Sequence, residues 1–109
     1  MRTRAYVRGI PRTPMTVAFE DAGEPLGYGA VANLSEGGAC VWTATHFDVG
    51  QHLSIRLSAA RQMQPFEAPA VVVWGAETPN EEPRTRRYGL QWVEPTPGYQ
   101  GQLRQLLTT

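Results

Sequence analysis

The segment HLSIRLS, residues 52–58, alternates polar and apolar side chains without interruption. Because successive side chains of a strand point to opposite faces, its two leucines and its isoleucine fall on one face of an extended chain. The segments at residues 13–19 and 87–93 show the same period of two. Half-buried strands of this kind are typical of an antiparallel sheet that packs one face on a core.

Three more strands and one helix complete the pattern. Strands are predicted at residues 26–34, 39–43 and 68–75, and the last contains the apolar run VVVW, which suits a buried strand or one bent in a barrel. Residues 98–107 predict a short helix whose apolar side carries three leucines, which are Leu103, Leu106 and Leu107. The 11 glycines and 9 prolines favour many turns. Six short strands followed by one helix predict a single all-β domain, an antiparallel barrel or sandwich.

Composition and charge exclude several classes of function. Ten arginines balance ten acidic residues, so binding of nucleic acid through bulk charge is not expected. One cysteine, Cys40, and two histidines cannot supply a disulfide framework or a cysteine-rich zinc site, so no metal and no cofactor are predicted. The motifs of common hydrolases and phosphate-binding loops are missing from the sequence, which predicts that the protein is not an enzyme. With no signal-peptide pattern or membrane-spanning apolar run, the chain is expected in the cytoplasm, without membrane insertion.

The positive charge is concentrated at the N-terminus. Four of the ten arginines fall within the first twelve residues, and the first acidic residue is Glu20. Pro11 disfavours a helix there, because it lacks a backbone donor and biases the preceding residue away from helical angles. We therefore expect a flexible basic arm at residues 1–12, followed by the folded domain at residues 13–109.

Two short motifs stand at the arm and at a predicted turn. RGIPR, residues 8–12, is an RxxxR motif, and NLSEGG, residues 33–38, is an NxSxxG motif between two strands. Each motif alone is a weak indication of function, since arginine-rich chains contain RxxxR by chance and asparagine, serine and glycine are common in turns. In this order, ahead of VVVW and YGLQW, they make the chain resemble the PilZ domain family from about residue 8 to the C-terminal helix.

That resemblance implies a six-stranded antiparallel β-barrel with a C-terminal helix, acting as a bacterial receptor for the second messenger cyclic di-GMP. In the family, the RxxxR arginines bind the ligand from a flexible N-terminal segment, and the [D/N]xSxxG turn forms the other side of the binding site on the outside of the barrel. The ligand-binding residues implied here are Arg8, Arg12, Asn33, Ser35 and Gly38. Asparagine at position 33 departs from the commoner aspartate and is a weaker acceptor. Val7 stands where an additional arginine is associated with a stacked ligand dimer, which favours one ligand molecule per chain.

The chemistry of these residue types agrees with such a ligand. Cyclic di-GMP carries two phosphates and two guanines, and Arg8 and Arg12 can pair with a phosphate or with the O6/N7 edge of guanine. Asn33 can accept from a guanine N–H, and Ser35 can donate its hydroxyl. Gly38, without a side chain, allows close approach to its backbone N–H. The sequence leaves open whether Arg4, Arg86 or Arg87 also contribute.

Two functions from different classes remain open on the sequence. The first is a stand-alone receptor that binds cyclic di-GMP and orders its arm for an unidentified downstream protein. The alternative is a nucleotide-independent protein-interaction module with a degenerate PilZ barrel. A small barrel that binds single-stranded nucleic acid through aromatic residues is disfavoured, because the tryptophans are expected in the core. These are Trp42, Trp74 and Trp92, and Cys40 is expected to be a small buried residue.

Overall fold

A computed structural model describes residues 8–9, 15–59, 65–77, 85–94 and 97–108 of the chain. The elements are seven strands and one helix within that part: β1 (Arg8–Gly9), β2 (Met15–Asp21), β3 (Glu24–Ser35), β4 (Gly38–Thr43), β5 (His52–Ala59), β6 (Phe66–Glu77), β7 (Arg86–Trp92) and α1 (Pro97–Thr108). The six predicted strands and the helix are all present. The dipeptide strand β1 was not predicted, because two residues carry no periodic signal.

The strands form one sheet that closes on itself. They are ordered β1-β3-β2-β5-β6-β7-β4, and a further pairing of β3 with β4 joins the two ends. Each pairing is antiparallel. Six strands, β2 to β7, therefore make a closed antiparallel barrel, and β1 adds to β3 beside it. The predicted barrel with a short C-terminal helix is confirmed, and closure removes the exposed edges that a sandwich would leave.

Alternating burial along the strands builds the core. In β5 every second side chain, beginning with Leu53, is buried and its neighbours are exposed, as the period of two predicted. Eight larger side chains are fully buried, each worth roughly 1.5–3 kcal/mol relative to exposure: Phe19, Leu34, Ile55, Leu57, Leu103, Val17, Val41 and Val72. Leu103 belongs to α1, so the helix is anchored in the same core as the barrel. Leu106 and Leu107 are described for their backbone only.

Aromatic contacts join the helix to the last strand. The ring of Phe66 packs edge-on against Tyr99 of α1, with 5.4 Å between centroids, and against Trp92 of β7, also at 5.4 Å. Edge-to-face geometry lets the positive edge of one ring meet the negative face of the other. The end of β7 and the start of α1 are thereby fixed to the same strand, β6.

The tryptophans divide between the core and the outer face. Trp92 is 2% exposed, which confirms its core position. Trp74 is 40% exposed and Trp42 is half-buried outside the core cluster, so the expectation of core positions is wrong for both. For Trp74 the reason is a β-bulge: Val72 pairs with Leu90 and Trp74 pairs with Gly89, so the register skips Val73. One extra residue moves the following side chain to the other face.

Candidate functional site

The backbone register brings the two motifs together. In the pairing of β1 with β3, Arg8 lies opposite Ser35 and Gly9 lies opposite Leu34. Opposed residues of antiparallel strands have Cα atoms about 4.5–5.5 Å apart. The first arginine of RxxxR is therefore a direct neighbour of the serine of NxSxxG. Arg8 is described for its backbone only, and Arg12 lies outside the described residues.

A β-bulge sets the direction of the Asn33 side chain. Val31 pairs with the core residue Val41, and Asn33 pairs with Cys40, so the register skips Ala32. Cys40 alternates with Val41 along β4 and so lies on the opposite, outer face of the strand. Without the bulge, Asn33 would share the inward face of Val31. The extra residue turns this half-buried amide toward the outside of the barrel.

The hydroxyl of Ser35 organises the turn that follows. Its Oγ accepts hydrogen bonds from the backbone N–H groups of Gly37, at 3.2 Å, and Gly38, at 3.1 Å. It also lies 3.2 Å from the Gly38 carbonyl, to which it donates. Serine commonly closes turns through such bonds to backbone two or three residues on. The hydroxyl and the Gly38 N–H are thus engaged within the turn, and a contact of either with a ligand stays a prediction.

Packing alone requires glycine at position 38. It is buried and pairs with Gln91 of β7. A Cβ at this position would overlap the backbone carbonyl oxygen of Leu90. Because that obstacle is backbone and not a flexible side chain, β4 and β7 approach each other here only with glycine. The sequence suggested ligand access as the reason for this glycine, which stays a prediction, whereas the structure shows a packing reason.

Trp92 holds the turn from the end of β7. Its backbone N–H donates to the Gly37 carbonyl at 3.0 Å, and its indole Nε1–H donates to the Ser35 carbonyl at 3.3 Å. The indole itself is in the core. The NxSxxG turn is therefore built on a rigid support, because one buried residue holds the carbonyl groups of both Ser35 and Gly37.

Glu36, in the middle of the same turn, is a buried carboxylate. It is 5% exposed, and its Oε1 accepts a hydrogen bond and ion pair from Nε of Arg104 in α1. The hydrogen bond to Glu36, followed by the Coulomb attraction of its charge, raises the pKa of Arg104. Neither residue was singled out from the sequence, because 68 positions separate them and no local pattern links them.

Four residues form a row across the outer face beside the turn: Asn33 on β3, Cys40 on β4, Gly89 on β7 and Trp74 on β6. The β6 bulge turns Trp74 into this row just as the β3 bulge turns Asn33 into it. A Cβ on Gly89 would overlap the indole of Trp74, so the ring lies across this glycine toward β4. An exposed indole thus lies on the face that carries Asn33.

Arg87 adds a positive charge to this face. Its guanidinium carbon lies 5.3 Å from the ring centroid of Trp42 and 5.6 Å from that of Trp74. A cation at such a distance is attracted by the ring quadrupole of indole. Arg87 is exposed, and two indoles hold its guanidinium in place. Its neighbour Arg86 instead donates to the Ala44 carbonyl at 3.0 Å.

The described residues also line a cavity that lies away from the motifs. An open cavity of about 240 Å³ lies toward the opposite end of β7, lined by His46, Arg86 and Tyr88 among others, and the motif residues do not line it. The described residues contain no cluster of three or more metal-ligating side chains. Among the helices described, none is long and apolar enough to cross a membrane.

Comparison with solved structures gives close matches in fold. The chain aligns with the PilZ domain of Escherichia coli YcgR with c-di-GMP at a TM-score of 0.78 and 20% identity, covering 98% of this chain and 90% of that one. It aligns with the MrkH–c-di-GMP complex of K. pneumonia at a TM-score of 0.77 and 16% identity, covering 99% of this chain and 52% of that one. At these identities the likeness shows the fold alone.

A third solved structure is the Bacillus subtilis inhibitor of motility, MotI/DgrA, with a TM-score of 0.75 and 25% identity, covering 99% of this chain and 50% of that one. The chain thus spans about half the length of the MotI and MrkH chains. Comparison with curated proteins found no match. The profile of the PilZ domain matches residues 2–109. With that match over nearly the whole sequence and a closed six-stranded barrel that superposes on PilZ structures, the chain belongs to the PilZ domain family.

Proposed function

We propose that this PilZ domain is a receptor for cyclic di-GMP, which it binds through Arg8, Arg12, Asn33, Ser35 and Gly38. One observation carries the proposal: β1 places the backbone of Arg8 directly opposite Ser35. Similar structures from E. coli and K. pneumonia are named as complexes with c-di-GMP, which supports the same ligand here.

The chemistry of the turn and arm suits a guanine dinucleotide. The outward-facing Asn33 amide can accept from a guanine N–H while its own N–H₂ group donates. Two arginines provide planar donor pairs for a phosphate or for the O6/N7 edge of guanine. The pre-formed turn, held by Ser35 and Trp92, lets the ligand bind without the cost of ordering that loop.

The indole of Trp74 extends the proposed site. It is exposed on the row that contains Asn33, and a guanine base can stack on the exposed part of the ring, an interaction worth about 1–3 kcal/mol per base in nucleotide-binding proteins. Arg87, held between two indoles, adds positive potential for the two phosphates. The ligand would then lie on the outer face of β3, β4 and β7, between the arm and Trp74.

The signal would be relayed by the arm. Residues 1–12 would fold against the barrel, residues 13–109, when the ligand bridges the arginines and the turn, and a downstream protein would bind the new surface. The rival is an interaction module that needs no nucleotide. The pairing of Arg8 with Ser35 favours the receptor function, because it brings the backbones of the two motifs together, as binding of one ligand by both motifs requires.

Isothermal titration with cyclic di-GMP tests the proposal. We expect a dissociation constant on the order of 1 μM for the wild type. Arg12→Ala should weaken binding roughly tenfold to a hundredfold, since a hydrogen bond to a charged group contributes about 1.5–3 kcal/mol. Arg56→Ala is the matched control, because Arg56 is an exposed arginine on β5, across the ring of strands from β4. A flat titration of the folded wild type would support the rival.

A further inference from the structure

We propose that Arg104 of α1 is a positioning residue for the cyclic di-GMP site: it neutralises the carboxylate of Glu36, so that the NxSxxG turn accepts a dianionic ligand and the helix and the ligand stabilise each other. The inference rests on the proposed function, and it adds an element that the motifs do not contain. The ion pair between Glu36 and Arg104 is called the turn–helix pair below.

The position of Glu36 presents an electrostatic problem. Among the described residues with buried side chains it is the one carboxylate, and it stands between Ser35 and Gly37 in the turn proposed to bind two phosphates. A buried carboxylate has little water to screen it, so its field extends further than that of a surface charge. Without a counter-charge, Glu36 would repel the ligand from within its own binding turn.

Arg104 supplies that counter-charge. Its Nε donates to Oε1 of Glu36, and the Glu36 hydrogen bond and charge raise the pKa of the guanidinium. The folded-state pKa lies above the ordinary value for arginine, so Arg104 is a cation at any pH used for a binding experiment. The turn–helix pair is therefore neutral overall, and the positive charges of the arm and of Arg87 meet the ligand without opposition from Glu36.

The pair also links the helix to the turn energetically. Arg104 follows Leu103, which is fully buried in the core, and Tyr99 packs on Phe66. The helix therefore has an apolar anchor that does not depend on the charge pair, and the Arg104 side chain is 64% exposed. Loss of the guanidinium should leave α1 docked and change the turn. By linkage, if the ion pair favours ligand binding, the ligand must favour the ion pair, and with it this contact of the helix, by the same factor.

Titration of four variants with cyclic di-GMP tests the inference. Arg104→Ala should weaken binding roughly tenfold, within the usual range for coupled sites, and Arg104→Lys should restore most of the affinity. Glu36→Gln should bind at least as well as wild type. The double variant Glu36→Gln/Arg104→Ala should return to within about threefold of Glu36→Gln, since the repelling charge is gone. Gln102→Ala, on an exposed part of the same helix, is the matched control.

A second measurement separates this role from a merely structural one. Hydrogen exchange of the α1 amides should slow when ligand is added to the wild type, and much less so in Arg104→Ala. The inference is overturned if Arg104→Ala binds like wild type, or if the double variant binds as weakly as Arg104→Ala. If the folded wild type itself gives no binding heat, the proposed function fails and the inference with it. Binding by wild type and Arg104→Ala alike would overturn the inference alone.

Discussion

Single residues in this barrel are constrained by atoms of the neighbouring strand. Gly38 and Gly89 are both glycines because a Cβ would overlap, respectively, the Leu90 carbonyl and the Trp74 indole. The first keeps β4 and β7 in contact, and the second leaves room for an aromatic ring on the outer face. Glycine at these positions thus serves the packing from which the proposed ligand surface is made.

Replacement of Trp74 tests a residue of the proposed ligand surface that belongs to neither the RxxxR nor the NxSxxG motif. Trp74→Ala should weaken cyclic di-GMP binding about tenfold, because stacking on an aromatic ring contributes about 1–3 kcal/mol per base. Isothermal titration measures the change, and the affinity of Trp74→Phe should fall between those of the wild type and Trp74→Ala. Tyr28→Ala is the control, since Tyr28 is 74% exposed on β3 but pairs with Ala18, away from the Asn33 row. Equal affinity for Trp74→Ala and wild type would remove Trp74 from the site.

The turn of the β2–β3 hairpin contains a residue that is poorly suited to its backbone conformation, Ala22. Asp21 pairs with Glu24, so the loop is Ala22-Gly23, with φ of 50° at Ala22 and 85° at Gly23. Two positive φ values are the mark of a type I′ turn, in which asparagine followed by glycine is preferred. Alanine has a Cβ that disfavours this conformation and offers no side-chain hydrogen bond to offset it.

We expect Ala22→Asn to raise the free energy of unfolding by about 0.5–1 kcal/mol, since asparagine tolerates left-handed angles. Thermal or urea unfolding followed by circular dichroism measures the change. Asp21→Asn places the same side chain one residue earlier, in the extended strand β2, and should leave stability nearly unchanged. A loss of stability in Ala22→Asn would show that the turn does not prefer asparagine.

The strands and the helix also show which parts of the structure can be predicted from patterns in the sequence. Strand β5 was predictable because its alternation continues without a break, so the buried face follows directly. The VVVW run of β6 has no alternation, and a bulge that skips Val73 decides which face Trp74 takes. The bulge at Ala32 decides the same for Asn33. The turn–helix pair joins residues far apart in the chain, and no local pattern records a contact that only the closed barrel creates.

For the whole molecule, ligand binding and folding should be linked through the closed barrel. The proposed site draws on β1, β3, β4, β6 and β7, which occur together only in the folded state. A ligand that binds only the folded protein stabilises it by about 2.7 kcal/mol at a concentration one hundred times its dissociation constant. In a domain of this size each kilocalorie shifts the melting temperature by several degrees.

We therefore expect saturating cyclic di-GMP to raise the melting temperature of the wild type by roughly 10 °C, measured by differential scanning fluorimetry or calorimetry. Arg12→Ala, with weaker binding, should show a smaller rise at the same ligand concentration, while its melting temperature without ligand stays close to that of the wild type. Cyclic di-AMP is the ligand control, since adenine presents a donor where guanine has O6. Equal shifts with the two dinucleotides would mean that the arm binds phosphate alone, without recognition of guanine.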